Sequence, residues 1–197
     1  CNILTMPSTG TYATAFYGCT GLETVALPDG LTEIAARAFS GCSKLASVRL
    51  PSTLTSIGEY AFYDCKALAD VVVPEKITTL SRSLFAGCTG LKSVTIPAGV
   101  KTIDSGTFNK CSALESIELP EGLTTLGSQA FMNCSALKSV RIPDGVTAIP
   151  NETFAYCSVL ETVELPSALK TIGNMGFYKN NALRSISFPE TLETIGT

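Results

Sequence analysis

From Phe16 onward the chain repeats one arrangement of apolar and polar positions every 23 residues. Phenylalanine stands at 16, 39, 62, 85, 108, 131, 154 and 177, and cysteine follows three residues later at 19, 42, 65, 88, 111, 134 and 157. Leucine holds 22, 45, 68, 91, 114, 137, 160 and 183. Three residues after each leucine comes Val25, Val48, Val71, Val94, Ile117, Val140, Val163 or Ile186. Another apolar residue lies two further on, and a proline follows it, from Pro28 to Pro189. Leu31 and Ile34 open two more columns, which run to Leu192 and Ile195 without insertion or deletion.

The unit reads L-x-x-V-x-L-P-x-x-L-T-x-I-x-x-x-A-F-x-x-C-x-x. Its V-x-L segment alternates with period two and is rich in β-branched residues, which predicts a strand. Proline closes that strand, because it cannot donate to a ladder and keeps the preceding residue extended. L-T-x-I predicts a second short extended piece. Residues 58–65, GEYAFYDC, carry an early acidic residue followed by helix-tolerant types, which predicts a single helical turn. One such unit cannot bury its apolar side alone, whereas stacked copies cover one another.

The expected fold is therefore α/β: a solenoid of eight 23-residue units. A parallel sheet lies on one face, with short helical turns and extended segments on the other. Strands ~4.8 Å apart make a rod of roughly 40 Å. Residues 1–197 read as one domain with an irregular first unit at 1–21. There, Pro7 and Phe16 are nine residues apart where later units place eleven.

Composition narrows the function. Of 197 residues, 45% are apolar and 16% charged, too apolar a balance for a disordered chain. No apolar run approaches the ~20 residues of a membrane span, so no direct membrane insertion is expected. A net charge of −3 gives no footprint for nucleic acid or anionic lipid. Histidine is absent, which removes the commonest general base and metal ligand together.

The cysteine column is the obvious candidate for chemistry: a disulfide set, a metal site or a nucleophile. Against these stands a ladder of small buried hydrophobes, the usual behaviour of free cysteine. Stacked side chains point the same way, whereas a bridge needs two that turn toward each other. No C-x-x-C offers clustered zinc ligands, and no histidine can activate a thiolate. Asn180 takes the eighth position, where an amide can bond to neighbouring backbone. The column is read as a buried ladder. Cys1 is out of phase and reads either as a leucine substitute or as an exposed or lipidated terminal thiol.

Catalysis needs unlike residues converging on a point, whereas repeat columns set like residues in rows. No G-x-S-x-G or phosphate-cradling glycine loop occurs. No catalytic, metal or cofactor-binding residue is assigned, and no cofactor is expected.

Residues flanking the inward valine face outward on the sheet. In the second half Lys92, Glu115, Lys138, Glu161 and Arg184 alternate in sign, as do Glu118, Arg141 and Glu164, so neighbouring strands neutralise one another. The first half is nearly uncharged, and a partner would displace fewer satisfied charges there. The candidate contact is therefore centred on residues 49–95, with Arg49, Asp70, Val72 and Thr95. Tyr60 and Tyr63, one helical turn apart, form a second candidate; Tyr63 shares its column with Tyr17 and Tyr178. Asn133-Cys134-Ser135 and Asn151-Glu152-Thr153 match the glycosylation sequon, for which chance is the simpler account.

The columns L-x-x-V-x-L-P, L-T-x-I and A-F-x-x-C at a period of 23 resemble the BspA-type (Treponema-type) leucine-rich repeat over residues 16–197. The resemblance implies a right-handed, horseshoe-like leucine-rich-repeat solenoid. It also implies a surface or secreted protein that binds other proteins and mediates adhesion. The expectation is a non-enzymatic protein-binding module, extracellular or at the cell surface, whose partner is a protein such as a host matrix or cell-surface protein. The alternative is a structural spacer that presents another domain. The chain starts inside a unit and stops just before another A-F-x-x-C is due, so it is expected to be a segment of a longer protein.

Overall fold

The computed structural model describes residues 15–197. Cys1 and most of the irregular first unit lie outside the described residues. The V-x-L segments form short strands at Thr24–Val25, Ser47–Val48, Asp70–Val72, Ser93–Thr95, Ser139–Arg141 and Thr162–Glu164. The L-T-x-I segments form a second row: Glu33–Ile34, Ser56–Ile57, Thr79–Leu80, Thr102–Ile103, Thr125–Leu126, Ala148–Ile149, Thr171–Ile172 and Thr194–Ile195. Every pairing is parallel and joins like positions of adjacent coils, as in Val71↔Val94, Val140↔Val163 and Leu80↔Ile103. A single-residue slip would turn the inward column to solvent, so the apolar pattern fixes this register.

The result is a parallel β-solenoid of about seven turns. Residues 22–182 make seven whole periods with seven phenylalanines of the column; Phe16, just before them, is the eighth, and residues 183–197 open another period.

The expected helical turn is not found among the described residues, and backbone geometry explains why. Arg37, Tyr60, Ser83, Gly106, Gln129, Glu152 and Met175 occupy one column and all have φ between 50° and 66°. Four residues later, Gly18, Gly41, Asp64, Gly87, Lys110, Asn133, Tyr156 and Lys179 have φ between 55° and 78°. Two left-handed residues that close together leave no room for a right-handed α turn. The arc forms a third ladder between coils instead. Arg37, Phe39 and Gly41 donate their N–H groups to the carbonyls of Glu59, Ala61 and Tyr63 in the next coil at 2.7–2.9 Å. Between them, Ala38, Ser40 and Cys42 donate within their own coil to Ala35, Arg37 and Phe39. Alternate amides thus serve alternate directions, and the arc's backbone donors are paired inside and between coils.

Phenylalanine fills the space behind this arc. Phe39, Phe62, Phe85, Phe108, Phe131 and Phe154 are fully buried. From Phe16 to Phe177 the rings stack with centroids 5.2–5.8 Å apart and planes within 15° of parallel. Each buried ring contributes about 1.5–3 kcal/mol from area removed from water. The first sheet row is interrupted between Val48 and Asp70 and again at residues 116–118, and the second between Ile57 and Thr79 and between Leu126 and Ala148. The phenylalanine arc continues past residues 116–118, with Phe108 and Lys110 donating to Ala130 and Met132 at 2.8 Å.

Candidate functional site

The cysteine column is built into the core. Cys42, Cys65, Cys88, Cys111, Cys134 and Cys157 are fully buried and unbridged. Each thiol donates to the backbone carbonyl of the phenylalanine in the preceding coil, from Cys42 to Phe16 through Cys157 to Phe131, at 3.1–3.2 Å. The same kind of carbonyl already accepts a cysteine N–H of its own coil, as Phe39 does from Cys42 at 3.1 Å. The sulfur therefore fills a void and satisfies the second lone pair of a buried oxygen. Burial is the main cause that pushes the thiols up: Cys42 to about 11 and Cys65 and Cys157 to about 12, with Cys88, Cys111 and Cys134 also raised. Nucleophilic thiols need the opposite, a low pKa and access. At the eighth position Asn180 accepts the Cys157 N–H through Oδ1 at 3.0 Å, so the amide does bond to neighbouring backbone. Among the described residues no cluster of three or more His, Cys, Asp or Glu side chains is placed to hold a metal ion.

The outward sheet face is the exposed counterpart of this core. Asp70 and Val72 flank the inward Val71 on one strand, and the register places Ser93 and Thr95 beside them. Arg49 precedes Val72 in the same column one coil earlier, so Arg49, Asp70, Val72 and Thr95 share one exposed surface. Val72 is 65% exposed, a large apolar side chain in water. Arg49 reaches Asp29 at 4.0 Å, and both side chains are nearly fully solvated.

Charge pairing in the second half occurs at particular positions. Lys138 meets Glu115 at 3.6 Å, and Arg141 meets Glu164 at 3.7 Å. Arg141 also bonds Glu121, whose carboxylate raises the guanidinium pKa through hydrogen bond and charge. Lys92, Glu118, Glu161 and Arg184 make no ion pair among the described residues.

A further column belongs to this surface and was not picked out from the sequence: the residue after each proline. It holds Asp29, Glu75, Glu121, Asp144 and Glu190, all exposed. The contacts Arg49–Asp29 and Arg141–Glu121 join it to the sheet face. Asp144 accepts the N–H and Oγ–H of Ser167 at 2.9 and 3.0 Å, which hold its carboxyl below the ordinary range.

Tyr60 and Tyr63 lie on the phenylalanine arc, away from that group. Their rings meet edge-on at 5.8 Å, and the Arg37 guanidinium sits 5.1 Å from the Tyr60 ring centre. Ser40, which lies between Tyr17 and Tyr63 in their column, is almost fully buried. In the second sequon the Asn151 Oδ1 accepts the Asn174 N–H at 2.8 Å, and the buried Thr153 hydroxyl donates to the Pro150 carbonyl at 2.8 Å.

Stacked phenylalanines, a thiol rung and a proline-closed V-x-L segment, recurring from coil to coil, are the structural form of one repeat. A family model described as the BspA type leucine rich repeat region, with six copies, matches residues 9–113 and 80–197. The chain belongs to the BspA-type leucine-rich repeat family. Solved structures agree with this fold. The leucine rich repeat protein of T. pallidum aligns with 29% identity and a TM-score of 0.60, covering 92% of this chain and 77% of that one. A leucine rich cell surface protein of Faecalibacterium prausnitzii aligns with 25% identity and a TM-score of 0.59, covering 92% of this chain. The BspA-type region described here spans 64% of that protein's length. The pneumococcal vaccine antigen PcpA shares the fold at 22% identity and a TM-score of 0.53. A comparison with curated proteins finds no match. Among the described residues of this BspA-type chain no helix is long and apolar enough to cross a membrane.

Proposed function

We propose that this BspA-type region is a non-enzymatic protein-binding module of a cell-surface or secreted protein, and that adhesion or partner recognition runs through the outward sheet face around residues 49–95. The observation that carries the reading is Val72. It stands 65% exposed beside Asp70 and Thr95, whereas the apolar residues on either side of it, Val71 and Val73, are buried. An apolar side chain rimmed by polar ones is the composition of a docking patch. The resemblance to a leucine rich cell surface protein supports the setting. The Tyr60–Tyr63 pair, braced by Arg37, is a second contact point of the type enriched at interfaces.

Three backbone ladders also suit a stiff rod, and a spacer that presents another domain is the competing reading. Pull-down with immobilised host matrix and cell-surface proteins separates the two, because a spacer retains nothing. Within the binding reading, replacing Arg49 and Asp70 by alanine is expected to weaken capture about fivefold or more. Replacing the mutually paired Arg141 and Glu164 is expected to change it less than about twofold. The reverse ranking would refute the placement.

A further inference from the structure

We propose that the solenoid is jointed at two boundaries between coils, where both sheet rows open while the phenylalanine arc serves as the hinge.

Most boundaries of the second row carry the same two bonds. The residue after the inward leucine or valine donates its N–H to the matching carbonyl of the coil before, as Lys101 does to Thr78 and Lys170 to Thr147, both at 2.8 Å. The residue after the inward isoleucine or leucine does the same: Gly58 to Ile34, Gly127 to Ile103 and Gly173 to Ile149, at 2.7–2.8 Å. Neither bond forms at the boundary from Ile57 to Leu80 or at that from Leu126 to Ile149. Thr78 and Thr147 do not donate to Thr55 and Thr124. At the first boundary the Ser81 hydroxyl donates to the Ile57 carbonyl where the other coils use a backbone N–H. At the second, residue 150 is proline and has no N–H to give.

The first row opens at the same places. Val48 and Val71 lack ladder pairing, as do Ile117 and Val140. One strand-entry bond remains at each boundary, Ala69 to Ala46 at 3.3 Å and Lys138 to Glu115 at 3.2 Å. The equivalent bonds one coil on, Lys92 to Ala69 and Glu161 to Lys138, are shorter, 2.8 and 2.9 Å. The first row is also open between Val94 and Ile117 and between Val163 and Ile186, but there the second row is intact, with Thr102 paired to Thr125 and Thr171 to Thr194.

The arc crosses both boundaries unbroken. Tyr60, Phe62 and Asp64 donate to Arg82, Leu84 and Ala86, and Gln129, Phe131 and Asn133 donate to Asn151, Thr153 and Ala155, all at 2.8–3.0 Å. The Cys88 and Cys157 thiols hold the Phe62 and Phe131 carbonyls across the same two boundaries. A stack laced along one edge and unlaced along the others bends about the laced edge. Ser81 and Pro150 stand in one column three periods apart, so the joints leave three blocks with unbroken second rows, at residues 33–57, 79–126 and 148–195. The first joint runs between Arg49 and Val72, so opening it changes the spacing across the proposed contact face. The joints themselves require no partner, and their failure leaves the protein-binding reading standing.

Spin labels on cysteines introduced at outward second-row positions test this in a chain carrying Cys1→Ser and Cys19→Ser. Pairs two coils apart, about 10 Å, are read by electron paramagnetic resonance. Ser56→Cys with Thr102→Cys, and Thr102→Cys with Ala148→Cys, each straddle a joint. Thr79→Cys with Thr125→Cys, and Ala148→Cys with Thr194→Cys, each lie within a block. The distance distributions of the straddling pairs are expected to be about twofold broader than those of the pairs within a block. Pro150→Gly supplies the missing N–H with the residue that the column already carries at 58, 127, 173 and 196. It should narrow the 102–148 distribution to the width within a block and leave the 56–102 distribution unchanged. Equal widths in all four pairs of the otherwise unaltered chain overturn the inference whether or not the proline variant folds. So does a folded Pro150→Gly chain whose 102–148 distribution stays as broad.

Discussion

At the residue scale the cysteine column links composition to behaviour. Six thiols are buried and each donates to a phenylalanine carbonyl one coil away. Their folded pKa values lie above the ordinary thiol value of about 8.5. Folding therefore favours the protonated form, and that stability is fully present below about pH 8.5. It falls as pH rises through the values of about 11 and 12 reached by Cys42 and Cys65. Urea midpoints should be flat from neutral pH to pH 8 and fall steeply above pH 9. At neutral pH a thiol reagent should label at most Cys1 and Cys19 of the eight cysteines in the native chain, and all eight in urea. Rapid labelling of the column without denaturant would contradict the burial. The buried-hydrophobe reading was legible in the sequence because a residue type repeated at one phase implies one environment. The thiol's bond to a carbonyl in the previous coil was not, since it depends on how one coil sits over the next.

At the scale of the elements, the arc around Phe39 shows where local pattern misleads. Glu59, Ala61 and Phe62 are compatible with a helical turn by composition. What defeats the helix is the neighbouring coil, whose carbonyls accept alternate N–H groups at 2.7–3.0 Å, as from Tyr60, Phe62 and Asp64 to Arg82, Leu84 and Ala86. Close approach of coils also explains Gly58. A Cβ there would run into the backbone of Ala36. Gly58→Ala is expected to cost about 1–3 kcal/mol in urea denaturation, with little effect predicted by helix propensity alone. The interrupted rows carry their own consequence. Residues 116–118 lack ladder partners on either side, whereas Asp70–Val72 pairs with Ser93–Thr95. Hydrogen exchange should therefore be faster at 116–118 than at 93–95, and equal protection would show that the ladder is intact in solution. The charged columns were partly legible. Alternation of sign predicted Lys138–Glu115 and Arg141–Glu164, which form. The acidic column after proline escaped because only the cross-column contacts Arg49–Asp29 and Arg141–Glu121 show that it shares a surface with the strand.

On the scale of the whole molecule, one side of the coil does different work from the other. The inner columns make a core that no partner can reach, so recognition has only the outward columns to vary. That separation is why the fold was readable and the ligand was not. The columns repeat because each is constrained by copies of itself, whereas outward residues such as Asp70 and Val72 are under no such constraint. Contacts in such a stack run only between neighbours, so its stability is close to a sum of unit and interface contributions. Shared register across all three ladders has a consequence for how such proteins change length. Excising residues 85–107 would splice Leu84 to Phe108 with every column still in phase. The shortened chain should fold with the same circular dichroism and a scattering profile shorter by about 4.8 Å. Removing one residue fewer should abolish folding, since downstream rows would land on the wrong side. Unequal crossing-over between such copies trims or extends the rod one whole step at a time, so a lineage can alter its reach while its cross-section is inherited unchanged.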